Sequence, residues 1–195
     1  MGTLYSNEII LLSFGGFFEH ALVMKYVSVW SNENDKDNEL GKSNNYNQWI
    51  PFTDNQNRPI HIGGSVDYFG ARAVIGGSNN HLLFITHRRC CISVFDLSTF
   101  QFIKHDTLSI TDPCFHCFVL RSENGQEMMR ENEKKDNEML LFCEKAGLSI
   151  EYNEDNNTFK FYQIPVCRDI VPFYSHAYVY VNDVILFFGG NGYKN

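Results

Sequence analysis

The stretch Cys114-Phe115-His116-Cys117 places two thiols and one imidazole within four residues, a combination that could form half of a zinc site. No second pair of ligands with zinc spacing accompanies it in the sequence. On a β-strand, Cys114 and His116 would also point to one face while Cys117 points to the other. We therefore predict no metal site here, and we expect His116 to be a structural residue.

Two further stretches carry residue types that could do chemistry. Asp35, Asp37 and Glu39 alternate as in a calcium-binding loop, but Leu40 stands where an EF-hand turn needs glycine. The glycine-rich stretch Gly189 to Gly192 is followed by no helix whose N-terminus could hold a phosphate. The sequence also lacks a Gly-x-Ser-x-Gly nucleophile motif. We predict that the protein is not an enzyme and has no catalytic, metal-binding or cofactor-binding residues.

The charge balance argues against a nucleic-acid partner. The formal net charge is −7 and the isoelectric point is near 5.4, whereas phosphate binding needs a basic face. The one compact basic cluster, His87-Arg88-Arg89, is typical of a solvated turn. No nucleic acid is therefore expected among the partners.

No part of the sequence predicts membrane attachment. No apolar run approaches the roughly 20 residues that cross a bilayer, and the N-terminus lacks the basic region and cleavage site of a signal peptide. Gly2 and Ser6 fit the N-myristoylation pattern, but a single myristoyl chain needs a second membrane signal, which the sequence does not show. Six cysteines without the layout of a disulfide framework agree with a reducing compartment. We predict a cytoplasmic protein.

The elements that position these residues are predicted to be β-strands. Hydrophobic residues make up 44% of the 195-residue chain, and its 17 Phe and 10 Tyr favour strands over surface helices. One apolar strand pattern occurs four times, as LLSF from Leu11, LLFI from Leu82, LLFC from Leu140 and ILFF from Ile185. A repeated strand of this kind predicts a repeat architecture.

Two polar segments interrupt the spacing of these strands. Residues 31–45 and 122–138 are rich in Asn and charge and almost free of branched apolar residues. Both are predicted to be loop insertions. Without them, the spacing approaches the roughly 40 to 50 residues of a propeller blade.

Two other elements recur around the apolar strand. A hairpin pattern follows it, since Ile92 to Phe102 parallels Leu148 to Phe161, with turn-forming residues between two strands in each case. Another strand precedes it, since Phe115 to Leu120 parallels Ser175 to Val181. Each unit therefore has four predicted strands, with the apolar strand covered on both faces and the later hairpin half exposed. The units span approximately 5–52, 70–108, 114–166 and, incomplete, 174–195.

The stretch SHAYVYVNDVILFFGG, Ser175 to Gly190, resembles a blade of the kelch-repeat β-propellers, which share the fold of the galactose oxidase central domain. In this family the double glycine lets the backbone turn into the third strand with no Cβ in the way. The two middle units depart from the pattern, with Thr86-His87 and Glu144-Lys145 in place of the glycines. The positions that match the family pattern are Gly15, Gly16, Trp49, Phe100, His116, Phe159, His176, Gly189 and Gly190.

The resemblance implies an all-β fold, namely a kelch-type β-propeller of four-stranded antiparallel blades that occupies 1–195 as a single region. About three to four blades are present, so we expect a partial propeller or a very small ring. The implied function is that of a non-catalytic scaffold that binds a protein partner through its loops. Two alternatives stay open: a copper oxidoreductase of the galactose oxidase type, for which no ligand set maps onto motif positions, and a fragment of a longer kelch protein.

Overall fold

The computed structural model describes residues 9–16, 19–27, 46–63, 68–110, 113, 115–121, 137–143, 146–167, 173–174 and 176–192. Within these ranges every regular element is a β-strand, which confirms the predicted all-β class. The part of the chain that the structure describes contains no helix that could span a membrane. The chain forms two compact units, Met1–Ser65 and Val66–Asn195.

The first unit contains a three-stranded antiparallel sheet. In sheet order, its strands are β1 (Ile9–Phe14), β2 (Ala21–Tyr26) and β3 (Ile50–Pro51). Beyond the last pair of the β1–β2 ladder, the amide of Gly15 donates to the carbonyl oxygen of His20 at 3.0 Å. Gly15 and Gly16 have φ angles of 76° and 86°, a left-handed conformation that glycine adopts without steric cost. The first double glycine therefore opens the loop from β1 to β2.

The second unit begins with a four-stranded antiparallel sheet. In sheet order, its strands are β4 (Arg72–Gly76), β5 (Leu82–His87), β6 (Cys91–Asp96) and β7 (Gln101–Thr107). All six residues of β5 are buried, as expected for a strand covered on both faces. Along β7, exposed and partly buried residues alternate, as expected for a half-exposed edge strand. The predicted four-stranded antiparallel sheet is confirmed here.

A second four-stranded antiparallel sheet follows. In chain order, its strands are β8 (Cys117–Leu120), β9 (Asn137–Cys143), β10 (Ala146–Asn153) and β11 (Thr158–Ile164). β9 begins at Asn137, so the last two residues of the segment 122–138 are strand and not part of a polar insertion. Asn137 is only 6% exposed, because its side chain accepts from the amide of Gly77 at 2.7 Å and donates to Glu154 at 2.8 Å.

The last strands of the second unit form an antiparallel hairpin. Its strands are β12 (Phe173–Tyr174), β13 (Ala177–Val181), β14 (Val184–Phe188) and β15 (Asn191–Gly192), with β13 paired to β14 and β12 paired to β15. Asn182 and Asp183 form the turn, with φ angles of 49° and 60°. Gly189 and Gly190, with φ angles of 69° and 95°, lie between β14 and β15. Within the described residues, this double glycine continues the hairpin and does not lead to a third strand beside β14.

The first of the two middle repeat units makes a left-handed turn with residues other than glycine. β5 continues through Thr86 and His87, the positions aligned with the double glycine, and both residues are buried. The turn to β6 follows them, and Arg89 and Cys90 have φ angles of 65° and 57°. Glu144 and Lys145, the corresponding positions of the next unit, lie outside the described residues. The left-handed backbone is therefore kept in the first middle unit but has moved along the chain.

The two four-stranded sheets pack on one apolar core. The rings of Phe84 and Tyr152, one from each sheet, meet edge to face with centroids 5.1 Å apart. Truncating a buried side chain of this size typically costs about 3 to 5 kcal/mol, so this contact contributes substantially to holding the two sheets together. Closure of such sheets into a kelch-type ring stays a prediction. The buried core residues are Leu82, Phe84, Ile92, Val94, Leu108, Phe118, Met139, Leu141, Leu148, Ile150 and Tyr152.

Candidate functional site: an arginine-aromatic surface

The core between the two four-stranded sheets ends in buried polar side chains. Thr86 on β5 and His116, the residue before β8, are 0% and 3% exposed. Thr86 Oγ1 donates to the carbonyl oxygen of Arg72 at 3.3 Å, and it accepts from Nε2 of His116 at 2.5 Å. Burial lowers the pKa of His116 to about 3, and the positive charge of Arg72 adds to this effect. His116 is therefore neutral at pH 7.

Arg72 lies beside this buried pair. It is the partner of Thr86 in the β4–β5 ladder, so the two side chains point to the same face of the sheet. Its Nη1 donates to the carbonyl oxygen of Ala71 at 3.0 Å, and its guanidinium carbon lies 5.8 Å from the centre of the Phe115 ring. A cation placed in this way over an aromatic ring is stabilised by about 0.5 to 2 kcal/mol. The guanidinium is thus held half-buried at the end of the core.

Local turns bring two aromatic rings to Arg72. Residues Tyr68 to Ala71 form a turn closed by the Ala71 amide, which donates to the Tyr68 carbonyl oxygen at 3.1 Å. Gly70 in this turn has a φ of 72°, and its carbonyl oxygen accepts from the Phe115 amide at 3.0 Å. Phe115 has a φ of 51°, which is uncommon for an aromatic residue and is kept where surrounding contacts enforce it. The Phe69 and Phe115 rings meet edge to face at 5.2 Å, and Phe69 is 41% exposed.

Tyr178 on β13 completes the group. β8 lies beside both β4 and β13, so the first strands of the second, third and fourth repeat units are neighbours. The Tyr178 hydroxyl donates to the Phe118 carbonyl oxygen at 3.2 Å. Burial raises the pKa of Tyr178, and this hydrogen bond and the nearby Arg72 oppose the rise in part. We call Phe69, Arg72, Phe115 and Tyr178 the arginine-aromatic surface.

Arg72 differs from two other arginines in its charge partners. Arg58 pairs with Asp54 at 2.7 Å, and Arg121 pairs with Glu138 at 2.7 Å. No carboxylate among the described residues forms an ion pair with Arg72. A half-buried cation of this kind gains from an anion supplied by another molecule, because charge-assisted hydrogen bonds are stronger than neutral ones.

A second group of potentially reactive side chains lies on the other face of the first four-stranded sheet. Ser93 Oγ is 3.1 Å from Nε2 of His87 and 2.9 Å from Nδ1 of His105. A serine beside an imidazole could act as a nucleophile. However, Ser93 is 1% exposed, and the Tyr68 ring packs against His87 at 5.1 Å. The Ser93 hydroxyl is therefore closed to a substrate, and the group is a hydrogen-bond chain that runs from the buried His87 and Ser93 to the exposed His105.

A small cavity lies between β9 and the last hairpin. Its volume is about 180 Å³, below the roughly 300 Å³ at which small-molecule sites begin. Within the described ranges, no three His, Cys, Asp or Glu side chains come close enough together to hold a metal ion. The cavity is lined by Phe142, Cys143, Pro165, Val166, Cys167, His176 and Phe187.

The two histidines that matched the family pattern occupy equivalent places. His116 is the residue before β8 and His176 is the residue before β13. Only His116 adjoins the arginine-aromatic surface, through Thr86, whereas the His176 ring packs on Phe187 at 5.9 Å. Cys117 next to His116 is 4% exposed, and burial raises the pKa of its thiol to about 12. This thiol is therefore unreactive at neutral pH.

The three matched aromatic residues have different environments. Phe159 on β11 packs on the core, with its ring 4.7 Å from that of Tyr152. Phe100 ends the turn from β6 to β7 with a φ of 59°, and its amide donates to the Asp96 carbonyl oxygen at 2.8 Å. Trp49 precedes β3 and is 48% exposed. None of the three belongs to the arginine-aromatic surface.

Several sequence expectations fall outside the described residues. These are the myristoylation pattern at Gly2, the first thiol of the possible zinc stretch at Cys114, the insertion 31–45, and most of the insertion 122–138.

Sequence reasoning missed the residues that form the arginine-aromatic surface. The one local signal for Arg72 is that it lies in the otherwise apolar run Gly70 to Ile75 of an acidic chain. Phe69 carried no signal of its own. Its placement depends on the hydrogen bond between Gly70 and Phe115, which are far apart in sequence.

Comparisons of the chain with protein-family models, with curated proteins and with solved structures find no match.

Proposed function

We propose that the protein is a non-catalytic interaction scaffold, of the kelch type and cytoplasmic, that binds a protein partner at the arginine-aromatic surface. The observation that carries this proposal is the half-buried Arg72 guanidinium, which lies on the Phe115 ring with no carboxylate partner among the described residues. Arginine and aromatic side chains are enriched at the centres of protein interfaces, and their truncation often weakens binding by about 2 kcal/mol or more.

The position of the surface in the fold supports a binding role. It is built on strand ends and turns that a packed core holds in place, which is where scaffolds present contact residues. The left-handed Phe115 adds to this argument, since strained backbone is kept where a fixed geometry is needed.

The state of the reactive side chains supports a non-catalytic role. The Ser93 hydroxyl and the Cys117 thiol are both buried, at 1% and 4% exposure. His116 is neutral and almost fully buried, so it cannot exchange protons with a substrate.

Site-specific cross-linking tests the proposal. A photoreactive phenylalanine analogue at Phe69 is compared with the same analogue at Tyr162, which is 48% exposed on β11. In extracts of the source cells, the Phe69 probe is expected to give a discrete cross-linked protein that the Tyr162 probe does not give. The product is expected to disappear when Arg72→Met is added and to persist with Arg121→Met. Identical products from both probes, or no product at Phe69, would contradict the proposal.

A further inference from the structure

We infer that the arginine-aromatic surface recognises a carboxylate, carried by an acidic side chain of the partner that stands next to an apolar residue. This inference rests on the proposed function and adds to it the chemistry of the partner.

Arg72 carries a positive charge that forms no ion pair with a carboxylate of the described residues. A guanidinium has five N–H donors and stays protonated at all ordinary pH values. One donor is directed to the Ala71 carbonyl oxygen, and the Tyr178 hydroxyl lies close by. The remaining donors have no carboxylate among the described residues, unlike those of Arg58 and Arg121. A carboxylate is the group whose geometry matches such donors in a two-point contact.

Contact with Phe115 fixes the guanidinium. The Phe115 ring centre lies 5.8 Å from the guanidinium carbon, and Phe115 is itself fixed by the hydrogen bond that its amide donates to the Gly70 carbonyl oxygen. A fixed donor group loses less conformational entropy when it binds than a free arginine does. The Tyr178 hydroxyl, whose proton is donated to the Phe118 carbonyl oxygen, places its oxygen near the guanidinium.

The charge of the arginine-aromatic surface favours a carboxylate over a phosphate. Phosphate groups carry close to two negative charges and are usually held by clusters of arginines. The arginine-aromatic surface has one cation, because the neighbouring His116 is neutral at pH 7. The chain as a whole has a net charge of −7, which further disfavours a dianion. One guanidinium matches a single negative charge.

The exposed ring of Phe69 indicates which kind of residue lies beside the acidic residue of the partner. Phe69 is 41% exposed and packs edge to face on Phe115, so an apolar surface adjoins the cation. A partner residue that lies on this ring would shield the ion pair from water and strengthen it. The expected recognition element is therefore an acidic residue followed or preceded by a large apolar one.

Titration with small probes tests this inference without the natural partner. The probe acetyl-Glu-Phe-amide is added to the ¹⁵N-labelled full chain, and the Nε–Hε signal of Arg72 is followed by NMR. We expect a saturable shift with this probe. The uncharged acetyl-Gln-Phe-amide is expected to bind at least fivefold more weakly, as is acetyl-phosphoserine-Phe-amide.

Variants of the full chain assign the effect to Arg72. Arg72→Gln is expected to abolish saturable binding of the glutamate probe, with an otherwise unchanged spectrum. Arg72→Lys keeps the charge but loses the two-point geometry, so an intermediate affinity is expected. Arg121→Gln, which removes an arginine already paired with Glu138, is expected to leave the affinity within twofold.

Three results would overturn the inference: no saturable shift with the glutamate probe, equal affinity for the glutamate and glutamine probes, or tighter binding of the phosphoserine probe. None of these contradicts the proposed function, because Arg72 can bind a protein partner through a group other than a carboxylate, such as a backbone carbonyl oxygen. Conversely, probe binding without a cross-linked protein would contradict the proposed function and leave carboxylate recognition in place.

Discussion

The hydroxyl of Thr86 and the imidazole of His116 join the two four-stranded sheets through a hydrogen bond that both residues make while almost fully buried. Thr86 is also the ladder partner of Arg72. Thr86 at the polar end of the core and Arg72 of the arginine-aromatic surface therefore lie on the same pair of strands, β4 and β5. The hydrogen bond between Thr86 and His116 therefore contributes both to the stability of the fold and to the geometry of the arginine-aromatic surface.

Thr86→Val is expected to lower the free energy of unfolding by about 1 to 3 kcal/mol. The substitution keeps the shape of the side chain but leaves Nε2 of the buried His116 without a partner. Urea unfolding measures the change. The matched control is Thr107→Val on the exposed end of β7, for which a change within about 0.5 kcal/mol is expected. Equal effects at both positions would contradict the assigned role of Thr86.

The stability of the wild type is expected to fall as the pH drops from about 6.5 toward 3. The pKa of His116 is about 3 in the folded protein, against an ordinary value of 6.5. In this window the unfolded chain binds a proton that the folded protein does not, so acid favours unfolding, by up to about 1.4 kcal/mol per pH unit.

His116→Gln is the comparison that isolates this contribution. Carboxylates, and His87, whose pKa burial also lowers, titrate in both proteins. The stability of the variant is therefore expected to depend less steeply on pH between 6.5 and 4. Parallel pH profiles of wild type and variant would show that His116 is not held neutral by burial.

Glu154 is expected to stabilise the contact between the turn after β4 and the second four-stranded sheet. Its carboxylate accepts from the Ser78 amide at 2.8 Å, from the Ser78 hydroxyl at 3.1 Å and from Asn137 Nδ2 at 2.8 Å. Glu154→Ala should lower the free energy of unfolding by about 1 to 3 kcal/mol. Glu151→Ala removes a more exposed pair with Lys160, so about 0 to 1 kcal/mol is expected. The reverse order in thermal unfolding would refute the assignment.

Gly189→Ala is expected to destabilise the last hairpin by about 1 to 2 kcal/mol through its backbone alone. The φ of Gly189 is 69°, and nothing lies within 4 Å of a Cβ at this position. Gly189→Asn should cost less, because asparagine adopts the left-handed conformation more readily than alanine. Hydrogen exchange of the hairpin amides measures both changes, and equal protection in the two variants would argue against backbone strain as the cause.

The strand architecture could be predicted because burial imposes its own pattern on a sequence. The apolar run Leu82 to His87 indicated a strand covered on both faces, and all of its residues are buried. The alternation after Phe100 indicated a half-exposed strand, and β7 has that pattern. The predicted insertion 122–138 extends two residues too far, into β9, because the polar Asn137 is buried by hydrogen bonds that composition does not reveal.

Turn geometry and the candidate site were less predictable. A left-handed backbone conformation favours glycine, but Arg89 and Cys90 adopt this conformation after β5. The absence of the double glycine from this unit therefore did not mean that the turn was absent. The arginine-aromatic surface depends on contacts between residues far apart in the chain, such as Gly70 with Phe115 and Arg72 with Tyr178. Neither contact has a local sequence signal.

The affinity of the cross-linked partner for Arg72→Gln measures directly whether this guanidinium binds the partner. Isothermal titration of the purified partner into wild type, Arg72→Gln and Arg121→Gln compares two arginines that differ in whether a carboxylate already pairs with them. We expect at least tenfold weaker binding for Arg72→Gln, which corresponds to about 1.4 kcal/mol or more. For Arg121→Gln we expect a change in affinity within twofold. Equal affinity of the wild type and Arg72→Gln would contradict a role of Arg72 in binding the partner.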